Sequence, residues 1–299
     1  MKKRFGQISI IVLNWDSAKS TIDCVNSVLQ SGFQDFQIHI VDNGSTDNSV
    51  VKLQQAFEEN ERVNLIQTKK NLGFGGGINF GAEKAISLDD PEFLLILNND
   101  IVLEKDALQA LFNGTQEFGQ ENIYFPLILK WNSDIIQLAG IKTILPLPFR
   151  FKHAWEKDYG QLETEESAAL NGAVFLISTE LYKKLTGFDD EYFLYVEDVD
   201  FGYRAQKEGS KIILIPSAKI WHKHSESLGK FSPVKTYYCV RNYLYFLNDH
   251  AIGTLAKTYT YILLTFGIIF SFLALQFKQT KAIVQGISDF RKGKMGTMS

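Results

Sequence analysis

Short apolar runs alternate along this chain with stretches whose apolar positions recur at helical spacing. Residues 9–13 are a β-branched apolar run bounded by polar residues, which predicts a buried first strand. Over residues 17–30, Ile22, Val25, Val28 and Leu29 share one helical face. Residues 37–41 predict a second strand, closed by the turn residues Asp42, Asn43, Gly44 and Ser45. Thr46 or Asp47 is placed to cap a helix ending near residue 57, and residues 63–67 predict a third strand. A glycine-rich loop then leads into a helix over residues 77–86. Residues 93–97 predict a fourth strand that ends at Asn98, Asn99 and Asp100, and residues 104–118 predict a helix. Such alternation implies an α/β fold, a mostly parallel sheet flanked by helices. In that architecture ligands bind at the carboxyl ends of strands, where Asp42, the glycine loop and Asp100 fall.

The second half is less regular. Strands are predicted at 124–129, 173–177 and 212–215, and helices at 179–185 and 199–208, with Gly209 as a C-cap. Residues 131–159, with Pro146, Pro148 and several aromatics, predict an excursion able to serve as a lid or acceptor wall. From Pro233 onward the pattern is helical.

With 299 residues, the chain suits one large domain plus an appendage, or two small domains. Its 45% hydrophobic and 22% charged residues are globular values. A net charge of −3 without a long basic face argues against nucleic acid as a partner. Cys24 and Cys239 are far apart, as expected for reduced thiols. Lys2, Lys3 and Arg4 precede an apolar run too short for a signal peptide, so a cytoplasmic location is expected.

Candidate chemistry lies in four places. Asp100, directly after a strand, can reach a divalent cation that also binds phosphate oxygens, although Asn and Asp also close turns ordinarily. Glu197, Asp198 and Asp200 are packed close enough to raise one another's pKa values, so one can act as a general base, although acidic residues also favour a helix start. Tyr192, Phe193 and Tyr195 are placed to wall that site. Gly73, Gly75 and the following glycines let backbone approach a ligand, but they follow the third strand and lack the third glycine of a dinucleotide fingerprint. His222 and His224 follow a strand-like stretch, and either can complete a sparse metal-ligand set.

Taken in order, these segments resemble glycosyltransferase family 2 with a GT-A fold, and within it the bacterial rhamnosyltransferase-like branch. The matching segments include Ile40-Val41-Asp42-Asn43-Gly44-Ser45, Asn71-Leu72-Gly73-Phe74-Gly75, Leu97-Asn98-Asn99-Asp100, Asn171-Gly172-Ala173, Glu197-Asp198-Val199-Asp200, Trp221-His222 and Val240-Arg241-Asn242. They span residues 7–245.

The resemblance implies that Asp42 contacts the nucleotide base or ribose, with Asn14 beside it. Asn71, Gly73, Gly75 and Asn99 would line the donor pocket, and Arg241 would neutralise the leaving diphosphate. Asp100 and His222 would hold Mg²⁺ or Mn²⁺, while Asp198 is the base and Glu197 flanks it. Asn98 stands where many relatives carry the first Asp of the metal motif, a substitution that favours the rhamnosyl branch. The donor implied is dTDP-rhamnose, with UDP-sugars as the alternative, and the acceptor a polyprenyl-linked glycan. A nucleotidyltransferase and a non-catalytic sugar-nucleotide-binding protein are the competing readings. The expected division is a GT-A nucleotide-sugar-binding and catalytic domain over 1–230 and a C-terminal helical region over 231–299.

That C-terminal region contains an uncharged stretch, residues 258–277, long enough to cross a bilayer. Lys257 precedes it, and Lys278, Lys281, Arg291, Lys292 and Lys294 follow. A single crossing would place the basic tail outside, against the positive-inside tendency. The stretch is therefore open to three roles: a helix on the membrane surface, a span, or a buried packing or oligomer helix. Peripheral contact with the cytoplasmic face of the plasma membrane and a homodimer both remain options.

Overall fold

A computed structural model describes residues 7–142, 150–223 and 232–298. The first half builds β1 (Ile8–Asn14), α1 (Ala18–Leu29), β2 (Phe36–Asp42), α2 (Ser49–Phe57), β3 (Val63–Gln67), α3 (Gly73–Asp89) and β4 (Phe93–Asn98). Next come β5 (Ile101–Leu103), α4 (Ala107–Phe118), β6 (Ile123–Lys130), β7 (Ile136–Leu138), and the short pair β8 (Ile141–Lys142) and β9 (Arg150–Phe151). The rest comprises β10 (Glu165–Glu166), β11 (Val174–Ser178), α5 (Thr179–Lys184), α6 (Glu197–Lys207), β12 (Ile212–His222), α7 (Pro233–Asp249), α8 (Thr254–Leu273) and α9 (Phe277–Arg291).

One sheet organises the molecule, in the order β10-β12-β6-β11-β4-β1-β2-β3, with β5 on β12 and β7 on β6. The β4-β1-β2-β3 half is parallel. β11 enters antiparallel between β4 and β6, so the other half is mixed. Residue alternation divides the core. Ile10, Val12, Leu95 and Leu97 face the layer of α1, α2 and α4. Ile11, Leu94 and Ile96 face the layer containing α3, α5 and α6. This two-sided burial explains why the central strands are near-continuous apolar runs.

Two boundaries differ from the sequence expectation in ways that bear on the site. Helix α3 starts at Gly73, so the glycines lie in its first turns. β12 continues through a register shift between Ile215 and Lys219 and ends at His222. The expected boundary at 230/231 falls outside the described residues, as do His224, Pro146 and Pro148. Helices α7, α9 and α8 follow in the described part of the C-terminal region.

Candidate active site at the carboxyl ends of the strands

The parallel strands β1, β2 and β4 end side by side at Asn14, Asp42 and Asn98. Asp42 accepts from Asn14 Nδ2 (2.8 Å), Ser45 Oγ (2.6 Å) and Ser45 N (3.0 Å). Thr21 Oγ1 donates to Asn14 Oδ1 (2.6 Å), and Asn99 Nδ2 donates to Thr21 Oγ1 (3.0 Å). A relay of side chains thus runs from Asp42 to the Asn98, Asn99, Asp100 triplet. Asn14 and Asp42 are buried beneath the surface they support. Trp15, 52% exposed, stands at the same strand end. Asp16 adopts φ 47°, and its carboxylate accepts from the amides of Thr46 (2.7 Å) and Asp47 (3.2 Å).

β5 pairs antiparallel with β12, which sets His222 opposite Ile101 and next to Asp100. His222 Nε2 lies 3.1 Å from Asp100 Oδ2, and His222 Nδ1 lies 2.9 Å from Gln137 Nε2. Gln137 Oε1 is buried and finds no partner among the described residues. Rotating that amide end for end gives His222 Nδ1–H an acceptor and turns the Nε2 lone pair toward Asp100. That is the tautomer a metal-ligating imidazole needs, with the outer partner such ligands ordinarily have. The site therefore fits a divalent cation held by one carboxylate and one imidazole. Among the described residues no third His, Cys, Asp or Glu joins them, so such a cation would keep open positions for water or ligand oxygens. Gln137 belongs to the irregular excursion after β6 and carries no signal in the sequence.

The second carboxylate cluster opens α6. Asp198 Oδ2 accepts from Gly172 N (2.9 Å) and Oδ1 from Val199 N (2.9 Å). A Cβ on Gly172 would stand 2.9 Å from Asp198 Cβ, so only glycine permits this approach. The next residue, Ala173, accepts from Asn98 N through its carbonyl (2.9 Å). Two adjacent residues just before β11 therefore touch both clusters.

Burial raises both carboxyl groups. Glu197 is pushed up to about 8, first by burial and then by the neighbouring Asp198 charge, and its Oε2 finds no partner among the described residues. Burial also raises Asp198, but the Gly172 and Val199 amides oppose that shift. The pair thus favours charge on Asp198 and a proton on Glu197 near neutrality. Asp200 is buried and bonded to Arg204 Nε (2.8 Å) and His250 Nε2 (2.6 Å), so it ties α6 to α7.

The loop before α6 is bent into unusual backbone. Phe193, Tyr195 and Val196 have φ of 62°, 67° and 76°, a region that L-residues avoid and a β-branched residue most of all. Asn242 holds the bend: its Nδ2 lies 2.8, 2.9 and 2.7 Å from the carbonyls of Tyr192, Leu194 and Tyr195. Arg241, in turn, requires a correction. It is completely buried, and its guanidinium donates to the carbonyls of Tyr192 (3.1 Å) and Gly296 (2.7 Å) and to Asn242 Oδ1 (2.9 Å). It braces the loop from behind and does not face a diphosphate.

Gly73 and Gly75 also serve packing. Cβ atoms there would stand 2.2 Å from Phe193 O and 2.9 Å from Phe188 Cβ. Amides at the start of α3 have protein acceptors: Leu72 N donates to Asn43, Gly73 N to Asn71 Oδ1 (2.8 Å), and Phe74 N to Phe193 O (2.7 Å). The glycines bring α3 against the loop that precedes α6, and Asn71 caps that contact; the Gly73 and Phe74 amides are engaged by these protein acceptors. Tyr192 is buried, packed on Tyr245 rather than walling the site.

Comparison with known proteins decides the family. The model of glycosyl transferase family 2 matches residues 9–165, and that of glycosyltransferase like family 2 matches residues 151–234. The chain belongs to glycosyl transferase family 2. Within the family it is 28% identical over 211 residues to an N-acetylglucosaminyl-diphospho-decaprenol L-rhamnosyltransferase of Mycobacterium tuberculosis, covering 64% of this chain and 67% of that one. It is 26% identical to the low-salt glycan biosynthesis hexosyltransferase Agl10 of Haloferax volcanii, over 69% of this chain and 63% of that one. Among solved structures, GalNAc-T7 with UDP, GalNAc and Mn²⁺ superposes with a TM-score of 0.67 at 17% identity, over 82% of this chain. This chain spans about half of that one, 48%. S. aureus TarS 1-349 in complex with UDP-GlcNAc superposes with a TM-score of 0.56 at 18% identity, over 81% of this chain and 66% of that one. These superpositions establish the GT-A fold of this family 2 chain.

Proposed function

We propose that this family 2 chain is an inverting, metal-dependent glycosyltransferase. It moves L-rhamnose from dTDP-rhamnose onto a hydroxyl of a polyprenyl-linked precursor of a cell-surface polysaccharide, at the cytoplasmic face of the membrane. One observation carries the reading: Gly172 and Ala173 join Asp198 to the strand end bearing Asp100, with His222 at its side. A base and an anion-binding corner on either side of one dipeptide suit displacement at a carbon between them. Similarity to the M. tuberculosis N-acetylglucosaminyl-diphospho-decaprenol L-rhamnosyltransferase supports the sugar and the lipid carrier.

In this mechanism Asp198 accepts the proton of the acceptor hydroxyl. The acceptor oxygen bonds to the anomeric carbon as the bond from that carbon to the donor's phosphate oxygen breaks. Attack opposite the departing nucleoside diphosphate inverts the configuration. Glu197, protonated beside Asp198, avoids a second buried negative charge. Asp100 and His222 would hold Mg²⁺ or Mn²⁺, which when bound supplies charge neutralisation to the departing diphosphate. Trp15 offers a face on which a nucleobase can stack.

The test is a thermal-shift and transfer panel of dTDP-rhamnose, UDP-glucose, UDP-galactose and UDP-N-acetylglucosamine with Mg²⁺ or Mn²⁺. Stabilisation and metal-dependent transfer with dTDP-rhamnose are expected. A response to UDP-sugars alone replaces the donor, and no stabilisation or donor cleavage with any sugar nucleotide overturns the enzyme reading.

A further inference from the structure

Helix α8 is built inside out. Its buried residues are Thr260 and Ser271, and Gly267 packs beside Ile283 of α9. Its large apolar side chains point away from the protein: Ile262, Phe266, Ile269, Phe270 and Leu273 are all exposed, Phe266 by 66% and Phe270 by 71%. At 100° per residue, these five positions together with the exposed Leu263 and Phe272 cover roughly half of the helix circumference. Water-soluble helices place these residue types the other way round. Small and hydroxyl residues at a helix contact, with bulky apolar residues outside, are the arrangement of helices in lipid.

The packing partner decides how such a helix meets a bilayer. α8 lies antiparallel along α9: Arg291 stands over the Tyr261 ring at 5.9 Å, and Ser271 Oγ is 2.8 Å from Thr280 Oγ1. α9 is in turn fastened to α7, with Thr236 Oγ1 donating to Gln279 (2.7 Å) and Tyr237 OH to Asp289 (3.0 Å). Twenty residues would reach across a hydrocarbon core of about 30 Å. Spanning would nevertheless carry Lys278, Lys281, Gln285, Asp289 and Arg291 of α9 into the core alongside.

We infer that α8 docks flat on an anionic lipid surface, its outer face sunk among the acyl chains. Charge complementarity favours this occupant over a second copy. Residues 250–299 contain six Lys and Arg and one acid, Asp289, in a chain of net charge −3. Two copies meeting through α8 would set those cations against each other, whereas anionic headgroups neutralise them. The inference does not rest on the transfer reaction, because binding is measured without any substrate.

The experiment uses the full chain with vesicles of phosphatidylcholine alone or mixed with phosphatidylglycerol. Sedimentation with the anionic vesicles is expected, weakening as salt rises. The double variant Phe266→Ser, Phe270→Ser, changed only at exposed positions, should bind at least about tenfold more weakly. Lys278→Glu with Lys281→Glu should lose about tenfold or more, and only on anionic vesicles. In Phe266→Trp, near the middle of α8, the new indole should be quenched by lipids brominated near the headgroup. Quenching only by lipids brominated at the chain end would show a span and overturn the inference. So would absence of sedimentation, unchanged binding in the serine variant, or a dimer that the serine variant abolishes without vesicle binding.

Discussion

The two carboxylate clusters lie on either side of Gly172 and Ala173, yet they are held in opposite ways. The triplet ending in Asp100 follows a regular parallel strand, and its neighbours are fixed by short side-chain bonds from adjacent elements. Asp198 follows three residues in left-handed backbone and is kept in place by Asn242, 44 positions along the chain by number. The first corner is ordinary sheet geometry with polar side chains at its rim. The second is a strained loop whose cost, about 1–3 kcal/mol for each such residue, must be offset by contacts made elsewhere. Nucleotide and metal binding should therefore survive damage to the C-terminal helices that catalysis does not.

The comparison breaks most sharply at Asp198. Asp198→Asn should lower turnover by about a thousandfold while donor affinity stays within about twofold, as read by single-turnover kinetics and donor titration. Turnover near normal would remove the base from this cluster. Asn242→Asp is the next largest change, because it turns a donor facing three carbonyls into an acceptor. Turnover should fall by about a hundredfold with donor binding retained, since small misplacements of a base carry that penalty. Loss of donor affinity instead would mean that the two corners share one support.

Gln137→Leu probes the other corner. Mn²⁺ affinity, followed by magnetic resonance of the ion, should weaken by about tenfold, and turnover at saturating metal should recover. An unchanged affinity would separate His222 from the metal.

The smallest effect concerns pH. Glu197 holds its proton in the folded chain up to about 8, against an ordinary 4.5. Its stabilising contribution is therefore present below about 4.5 and lost as pH rises toward 8. Glu197→Gln should melt higher than the parent by about 2 °C or more at pH 8, with the gap closing toward pH 5. A gap independent of pH would contradict a buried, protonated Glu197.

Much of this was legible in residue order. The strands from β1 to β4 fall within about two residues of their expected places, because central strands bury both faces and must be apolar throughout. The places of Asp100 and Asp198 were legible for the same reason, since polar residues that interrupt such runs stand at strand ends and helix starts. Arg241 was misread because its role was taken from the resemblance, whereas its burial among the aromatic residues of α7 depends on the loop and tail that pack over it. The glycines after β3 suggested an anion loop; that Gly73 and Gly75 are also required by close approach of Phe193 and Phe188, more than a hundred positions away, was not legible. Gln137 and Asn242 act through tertiary contacts alone. For α8 the residue types were plain, but which of them face inward depends on α9.

Helix α7 stands between two dissimilar neighbours, gripping the loop before α6 through Asn242 and carrying α9, with α8 beyond it. Loosening of this outer stack by heat or detergent reaches Asn242 without disturbing any strand. Local opening there requires less than global unfolding. Inactivation and melting then become separate events, with activity disappearing at temperatures where the sheet remains intact.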